Sequence, residues 1–354
     1  MSKIYINGSG CISAQKTFDT VFLEEAVLNE KETILPIFQP VYKDFISPIA
    51  IRRMAKGVKN SIVASTLALR EAQLETVDAI ITGTGMGCIE DTDKFLKSIL
   101  DNNEEFLTPT SFIQSTHNTV GGQIALGLQC KAYNLTYVNG SVSFESALFD
   151  AKMKIEEAEA SSVLVGGIDE TAGYTASLFQ LAELVKKENN APYSLLESTS
   201  KGAVLGEGTT FFVLENELKE NSEAVLLDVE ILNKLAIDEV ENKVISFLDS
   251  NNLKLKDIDA VVLGYNGDVN SDLYYKKLSQ NTFSDTPQVY YKHLSGEYDT
   301  ASAFGLWVGA KIIKTQNIPN IVKINALEKE TYKTILLYNQ RNGKNHSFTL
   351  ISSC

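Results

Sequence analysis

The sequence predicts a mixed α/β protein whose sheets are covered by helices. Strand-like and helix-like patterns alternate along all 354 residues. Two short apolar runs, at 78–87 and 259–267, end in glycines, and each follows an amphipathic helical stretch. Such a run indicates a buried strand with a turn at its carboxyl end. Because the same helix–strand–turn unit occurs twice, we predict an internal duplication within this α/β fold.

Helices are predicted before both strands and at two further places. The helix before each strand has apolar residues at the spacing of one helical face. They are Met54, Val58, Ile62, Ala68, Leu69 and Ala72 for the first, and Val240, Val244, Ile245 and Leu248 for the second. A third helix is entered at Ser141, and a fourth covers about 299–314.

The end of the chain predicts a β-hairpin. Apolar and β-branched residues fill 334–338 and 347–351, and the Asn342-Gly343 pair between them favours a tight turn. A polar stretch at 215–222 separates the two duplicated units. We therefore divide the chain into an N-terminal half, 1–218, and a C-terminal half, 219–354.

The composition excludes several classes of protein. The net charge of −13 argues against nucleic acid binding, which needs a basic surface. No apolar run reaches the ~18 residues of a membrane span, and the start of the chain has no signal-peptide core. The four cysteines lack C-x-x-C spacing, and there are only three histidines. We therefore predict no disulfide framework, no metal site and no cofactor, and we expect a cytoplasmic protein.

A series of short motifs follows the order and spacing of one enzyme family. The motifs are Ile6–Ser13, Arg52–Met54, Thr82–Gly87, Pro109–Phe112, Asn118–Gly122 and Gly202–Glu215. On these residues the chain resembles the β-ketoacyl synthases of the thiolase superfamily over nearly its whole length. The resemblance implies a thiolase-like fold with five layers, α-β-α-β-α, built from two duplicated halves.

The nucleophile motif of that family is altered here. The family pattern T-A-C-[ST]-S-G falls on Asn139-Gly-Ser-Val-Ser-Phe144, and the cysteine position is Ser141. Serine is a poorer nucleophile than a thiolate unless a base activates it. The resemblance therefore implies that the usual acyl-enzyme chemistry is missing.

The supporting catalytic residues are altered as well. By the same resemblance, the first histidine position is Asn266 and the second is Glu297, whereas the lysine remains as Lys292. A carboxylate at position 297 would oppose a developing enolate rather than stabilise it. The glycine-rich gate loop keeps only Gly343. We therefore expect no condensation by this chain alone.

Structural roles are open at each of these positions. Ser141 could be the N-cap of its helix, and Asn266 could be a left-handed turn residue beside Gly267. Lys292 and Glu297 could form an ion pair in a former pocket. His117 and His293 could be polar core or interface residues rather than a displaced catalytic pair.

The resemblance implies a known kind of subunit for this residue set. Chain-length-factor-like proteins keep the fold, lose the nucleophile, pair with an active ketosynthase and contact the acyl carrier protein indirectly. The closest likeness is to partners in aryl-polyene or flexirubin-type pathways. The segment 109–118 aligns with the loop that reaches the partner's acyl tunnel, so Ser111, Phe112 and His117 are candidate tunnel or interface residues.

Two other functions remain open from the sequence. One is a serine-dependent acyltransferase or thioesterase-like enzyme that uses Ser141 with Glu297 or His117 as base. The other is a homodimeric protein that binds acyl chains.

Overall fold

A computed structural model describes residues 3–29, 31–105, 107, 109–187 and 194–354. Its strands are β1 (Ile4–Ile12), β2 (Ile34–Leu35), β3 (Ala79–Gly83), β4 (Tyr133–Tyr137), β5 (Ser162–Asp169), β6 (Leu205–Gly206), β7 (Gly208–Glu215), β8 (Ala224–Lys234), β9 (Ala260–Leu263), β10 (Gln288–Tyr290), β11 (Thr334–Arg341) and β12 (Lys344–Ser352). Its helices are α1 (Pro48–Ile51), α2 (Lys56–Ala72), α3 (Ile89–Asp101), α4 (Pro109–Ser115), α5 (Thr119–Gly127), α6 (Ser143–Glu156), α7 (Gly173–Leu181), α8 (Val240–Ser250), α9 (Leu273–Lys277), α10 (Lys292–Ser295) and α11 (Ser302–Thr315).

The strand order shows the duplication directly. The large sheet has the order β10-β9-β11-β12-β8-β1-β7-β5-β3-β4. Counted outward from the β1–β8 contact, one half is β1, β7, β5, β3, β4 and the other is β8, β12, β11, β9, β10. In both halves the first two pairings are antiparallel and the last two are parallel. The predicted duplication is confirmed, because β3 and β9, the two glycine-closed runs, occupy equivalent places.

The two halves meet through a short strand contact. Ile4–Ile6 of β1 pair with Ala224–Leu226 of β8, in antiparallel register. The predicted boundary at 218/219 lies between the end of β7 and the start of β8. Its use as a division between independent units stays a prediction.

The packing has five layers. α6 and α11 share one apolar cluster with strands of both halves, so these two helices lie between the halves of the sheet. α2 and α5 cover the outer face of the N-terminal strands. α8 and α9 cover the outer face of the C-terminal strands. The layers therefore run helix, sheet, helix, sheet, helix, and the thiolase-like fold class is confirmed.

Alternate side chains of a strand point to opposite faces of the sheet, so each strand contributes to both the central and an outer apolar cluster. In β5, Val163 and Val165 belong to the central cluster, whereas Leu164 belongs to the outer one. In β11, Ile335 and Leu337 are central and Leu336 is outer. Both faces are buried, which accounts for the continuous apolar runs in the sequence.

The two ends of the large sheet differ. At β10, the outer edge is covered: Val289 bridges to Lys323, and Ile324 N donates to Gln288 O at 2.8 Å. At β4, no strand of the described residues pairs with the outer edge. Tyr133 and Leu135 on this strand are 39% and 37% exposed.

The hairpin predicted at the end of the chain is present. β11 and β12 pair in antiparallel fashion around Asn342 and Gly343, whose φ angles are +54° and +69°. Both angles lie in the left-handed region that a two-residue turn of this type requires. Across the ranges that the structure describes, no helix is long and apolar enough to cross a membrane.

Candidate functional site

Ser141 lies in a one-turn 3-10 helix, Gly140–Val142, at the entry to α6. Gly140 has φ +54°, a left-handed conformation that glycine adopts without strain. The Ser141 hydroxyl is buried and accepts a 3.3 Å hydrogen bond from Nδ2 of Asn345 on β12. An amide group cannot take the serine proton, so this contact orients Ser141 without activating it.

The interpretation of Ser141 as an N-cap is wrong. α6 begins at Ser143, and no side-chain capping hydrogen bond is present at its N-cap position or at that of the preceding turn. The hydroxyl that binds the incoming backbone belongs to Ser143, which accepts from Asn139 N at 2.8 Å and donates to Gly140 O at 2.6 Å.

Lys292, Glu297 and Asn266 form one buried network. Lys292 Nζ lies 3.1 Å from Oε1 and 2.9 Å from Oε2 of Glu297. Asn266 Nδ2 donates a 2.7 Å hydrogen bond to Glu297 Oε2. The three residues are 1%, 5% and 4% exposed in the same order. The ion pair expected here is present, and both of its charges are satisfied inside the protein.

Asn266 is held by a tight turn. Its Oδ1 accepts from Asp268 N at 2.9 Å, while Asp272 accepts from Asn266 N at 3.1 Å and from Gly267 N at 2.9 Å. The left-handed residue is Gly267, with φ +84°, and not Asn266 as expected. Burial raises the pKa of the Asp272 carboxyl to about 7, although the two backbone hydrogen bonds act in the opposite direction.

Lys186, which the sequence analysis did not identify, secures the same turn from outside. Its Nζ donates to Gly267 O at 2.6 Å, Ser198 Oγ at 2.6 Å and Ser200 Oγ at 2.8 Å. Lys186 is 2% exposed, and burial lowers the pKa of its ammonium. It therefore fixes the loop at 198–200 over the Asn266 turn.

A second buried acid, Glu145, was also missed. It lies in the first turn of α6, is fully buried, and accepts a 2.7 Å hydrogen bond from Ser347 Oγ. Burial raises the pKa of its carboxyl, while Ser347, Ser302 and the charge of Lys292 lower it. Glu145 lies three residues before Leu148, on the apolar face of the helix. This position in the sequence could have indicated that the carboxylate is buried.

One small cavity adjoins Glu297 of this network. A cavity of about 30 Å³ is lined by Glu297, Asp299, Arg341 and Asp169, among other residues. Arg341, from the segment aligned with the gate loop, forms an ion pair with Asp299. A cavity of this size accommodates about one water molecule. The segment that the resemblance aligned with the gate loop is thus part of a hairpin strand fixed by an ion pair.

The predicted tunnel residues lie elsewhere on the molecule. Ser111 and Phe112 are in α4, and the Phe112 ring lies 5.4 Å from that of Phe95 on α3. Phe112 is 54% exposed. His117 is exposed and packs against the Gly87 turn. The structure brings Asn266, Lys292 and Glu297 together, whereas Phe112 contacts α3 instead.

His293 is a core residue. Its Nε2 is 2.8 Å from Ile321 O, and its ring stacks on Tyr290 with centroids 3.7 Å apart. Burial lowers the pKa of this histidine to about 3. A neutral ring in this position fits the polar-core interpretation.

Comparison with known proteins agrees with this architecture. Residues 29–195 match the family described as β-ketoacyl synthase, N-terminal domain. This segment of the chain is therefore similar to the N-terminal domain of β-ketoacyl synthases. The predicted resemblance is thereby confirmed. A search of curated proteins gives no match.

Solved ketosynthase structures share the fold over the whole chain. The ishigamide ketosynthase/chain length factor superposes with a TM-score of 0.81 at 17% identity, covering 100% of this chain and 99% of that chain. A β-ketoacyl synthase from Burkholderia phymatum STM815 gives 0.81 at 15% identity, with 100% of both chains covered. The ketosynthase ApeO in complex with its chain length factor ApeC, from Xenorhabdus doucetiae, gives 0.76 at 13% identity, covering 100% and 98%. These similarities establish the ketosynthase fold.

Proposed function

We propose that this chain is a non-condensing, chain-length-factor-like subunit that pairs with an active β-ketoacyl-ACP synthase and shapes that partner's acyl tunnel. The main support is the site itself. Where the ketosynthase family has its reactive side chains, this chain has Ser141, Asn266 and Glu297, each hydrogen-bonded within the protein. None of the three is arranged to attack a thioester or stabilise an enolate.

The lack of space gives a second support. The cavity beside Glu297 measures about 30 Å³, whereas an acyl chain with its thioester needs a pocket on the order of 300 Å³. An acyl tunnel therefore belongs to the partner in this proposal.

The open edge of the sheet supplies a surface for that partner. Apolar residues of β4 and of the flanking helices α5 and α6 are exposed around it. This open-edge surface comprises Leu126, Tyr133, Leu135, Val138, Phe149 and Met153. Unpaired strand edges with exposed apolar neighbours are sites of pairing with another chain. The covered β10 edge offers no such surface.

Known assemblies of similar fold fit the proposal. ApeO is described in complex with its chain length factor, and AntDE:AntF as a type II PKS acyl-carrier protein in complex with its ketosynthase. By analogy, the acyl carrier protein docks mainly on the active partner, consistent with the net charge of −13 on this chain. We place the protein in the cytoplasm, in an aryl-polyene-type, polyketide or fatty-acid-type pathway.

Co-purification tests the pairing. A tagged copy of this chain is expressed with the ketosynthase encoded beside it, and we expect a stable 1:1 complex. Leu135→Arg places a charge on the open-edge surface and should abolish the complex, whereas Leu327→Arg, at a residue 41% exposed in the other half, should not. A stable homodimer that does not bind the ketosynthase would contradict the proposal and would favour the alternative of a homodimeric acyl-binding protein.

Within the described residues, neither base considered for the serine acyltransferase alternative is hydrogen-bonded to Ser141. Glu297, one of the two bases considered, is bound to Lys292 and Asn266. His117, the other, is exposed and packs against Gly87.

A further inference from the structure

The buried carboxylate of Glu297 is bound in the way in which proteins bind a small carboxylate ligand. Lys292 contacts both carboxylate oxygens at 3.1 and 2.9 Å, and Asn266 Nδ2 donates to one of them at 2.7 Å. Charge-assisted contacts of this kind, one ammonium and one amide on a single carboxylate, are among the stronger hydrogen bonds in proteins.

Of the two groups that hold this carboxylate, Asn266 is fixed by other contacts and Lys292 is enclosed by protein. Asn266 is secured through Asp268 and Asp272, which bond its side-chain oxygen and its backbone N–H. Lys292 starts the short helix α10 and is 1% exposed. The Asn266 amide would therefore keep its position if the carboxylate were removed, and the Lys292 ammonium would remain enclosed by protein.

The backbone of Glu297 is equally fixed. Glu297 N donates to Val204 O at 2.8 Å, and Gly206 N donates to Glu297 O at 3.1 Å. Gly296, with φ +73°, packs against Gly206 so closely that a Cβ at either position would clash with the other's backbone. Loss of the Glu297 side chain should therefore leave a pocket and not a collapse of the chain.

A small void already adjoins Glu297. Glu297 forms part of the wall of the cavity of about 30 Å³, together with Arg341 and Asp299. Removing the carboxylate would enlarge this void and expose the Lys292 ammonium to it. The enlarged pocket would carry a positive charge with no bound counter-ion, which buried sites avoid.

We propose that Lys292 and Asn266 form a binding site for a small carboxylate and that the chain's own Glu297 is the tethered occupant. The side chain thus keeps the site closed to free carboxylates and to carboxylate-bearing acyl groups. This inference deepens the proposed function, since it explains why the subunit does not take substrate, but the binding site is tested in the isolated chain without the partner.

Chemical rescue tests the site. Glu297→Ala removes one methylene and one carboxylate, which are the heavy atoms of acetate. We expect sodium acetate to raise the Tm of E297A with saturation, when compared with sodium chloride at equal ionic strength, because a ligand that binds only the folded state stabilises it. Acetate should bind at least tenfold more tightly than butyrate, which is too long for the pocket.

Three controls make the result specific. The wild type should show no acetate effect beyond that of chloride, because its site is full. Lys292→Met in the E297A background should lose the acetate effect, because the ammonium is gone. Glu25→Ala breaks an exposed ion pair with Lys16 and should show none, because water replaces the lost carboxylate.

If E297A does not fold in chloride, the same comparison is made on the yield of folded protein after refolding in acetate or chloride. Equal responses to acetate and chloride, or rescue that persists without Lys292, would overturn the proposal. Neither outcome would affect the co-purification test of the pairing, so the two proposals can fail separately.

Discussion

Asn345 Nδ2 lies 3.3 Å from the Ser141 hydroxyl, across 204 positions of the sequence. The contact joins the first turn of the central helix layer to the terminal hairpin, and it places an amide where a serine nucleophile needs a base. We expect no acyl-enzyme at Ser141. The complex is incubated with acyl-carrier thioesters, and the mass of each subunit is measured. A stoichiometric adduct on this chain that disappears in Ser141→Ala would establish the acyltransferase alternative.

Phe112 is expected to set product length. Its ring is 54% exposed and rests on Phe95, so a partner would cover it in a complex. Phe112→Ala removes aromatic volume and should shift products to longer chains while the complex stays assembled. Products are compared by mass spectrometry, with Phe38→Ala as control, because Phe38 is similarly exposed at 46% but lies in a loop outside α4. An intact complex with an unchanged product distribution would assign Phe112 to packing alone.

The Lys292–Glu297 pair should be strongly coupled in stability. Lys292→Met or Glu297→Met alone leaves an unpaired buried charge, and each should cost about 3–5 kcal/mol of unfolding free energy. The double variant replaces both charges with apolar groups, so we expect it to recover at least about half of the summed loss. The free energy of unfolding is measured by urea denaturation for the wild type, the two single variants and the double variant, which together form a double-mutant cycle. Additive losses would show that the two side chains are not coupled.

Asp272 should make stability depend on pH. Its pKa of about 7 in the folded protein is raised from 3.8, so the folded state holds the proton more tightly than the unfolded state does. The stability from this group is present below about pH 4 and is lost as the pH rises through 7. Between pH 5 and 8 the wild type should lose up to about 1.4 kcal/mol per pH unit relative to Asp272→Asn. The free energy of unfolding is measured by urea denaturation at each pH. Parallel pH profiles for the wild type and Asp272→Asn would contradict this prediction.

Glu25→Gln serves as the control for that measurement. Its carboxyl is exposed, and the hydrogen bond from Lys16 lowers its pKa, so it titrates below the window. Its profile between pH 5 and 8 should follow that of the wild type.

The sequence indicated the fold well because its signals were local. The runs at 78–87 and 259–267 became β3 and β9, and Asn342-Gly343 became the turn of the terminal hairpin. The antiparallel contact between β1 and β8 was not foreseen, because it joins segments about two hundred positions apart and leaves no periodic pattern. Local patterns specify elements, whereas the pairing of distant strands depends on the whole core.

The candidate site was predicted less completely. Ser141, Asn266, Lys292 and Glu297 were found by resemblance, and three of them do form one network. Lys186 and Glu145 escaped notice because their partners, Gly267 and Ser347, are 81 and 202 positions away. A charged residue is normally read as exposed, and the place of Glu145 on an apolar helix face does not by itself identify a partner so far along the chain.

The difference between the two edges of the large sheet limits assembly by strand pairing. A protein with two free strand edges can add copies at both ends and grow into a filament. In the described part of the large sheet, the segment at 320–325 covers the β10 edge, and the β4 edge is left unpaired. Growth by strand pairing would therefore stop after one partner is bound. In the proposed pairing, each copy of this subunit would bind one ketosynthase, and no free edge of the large sheet would remain for polymerisation.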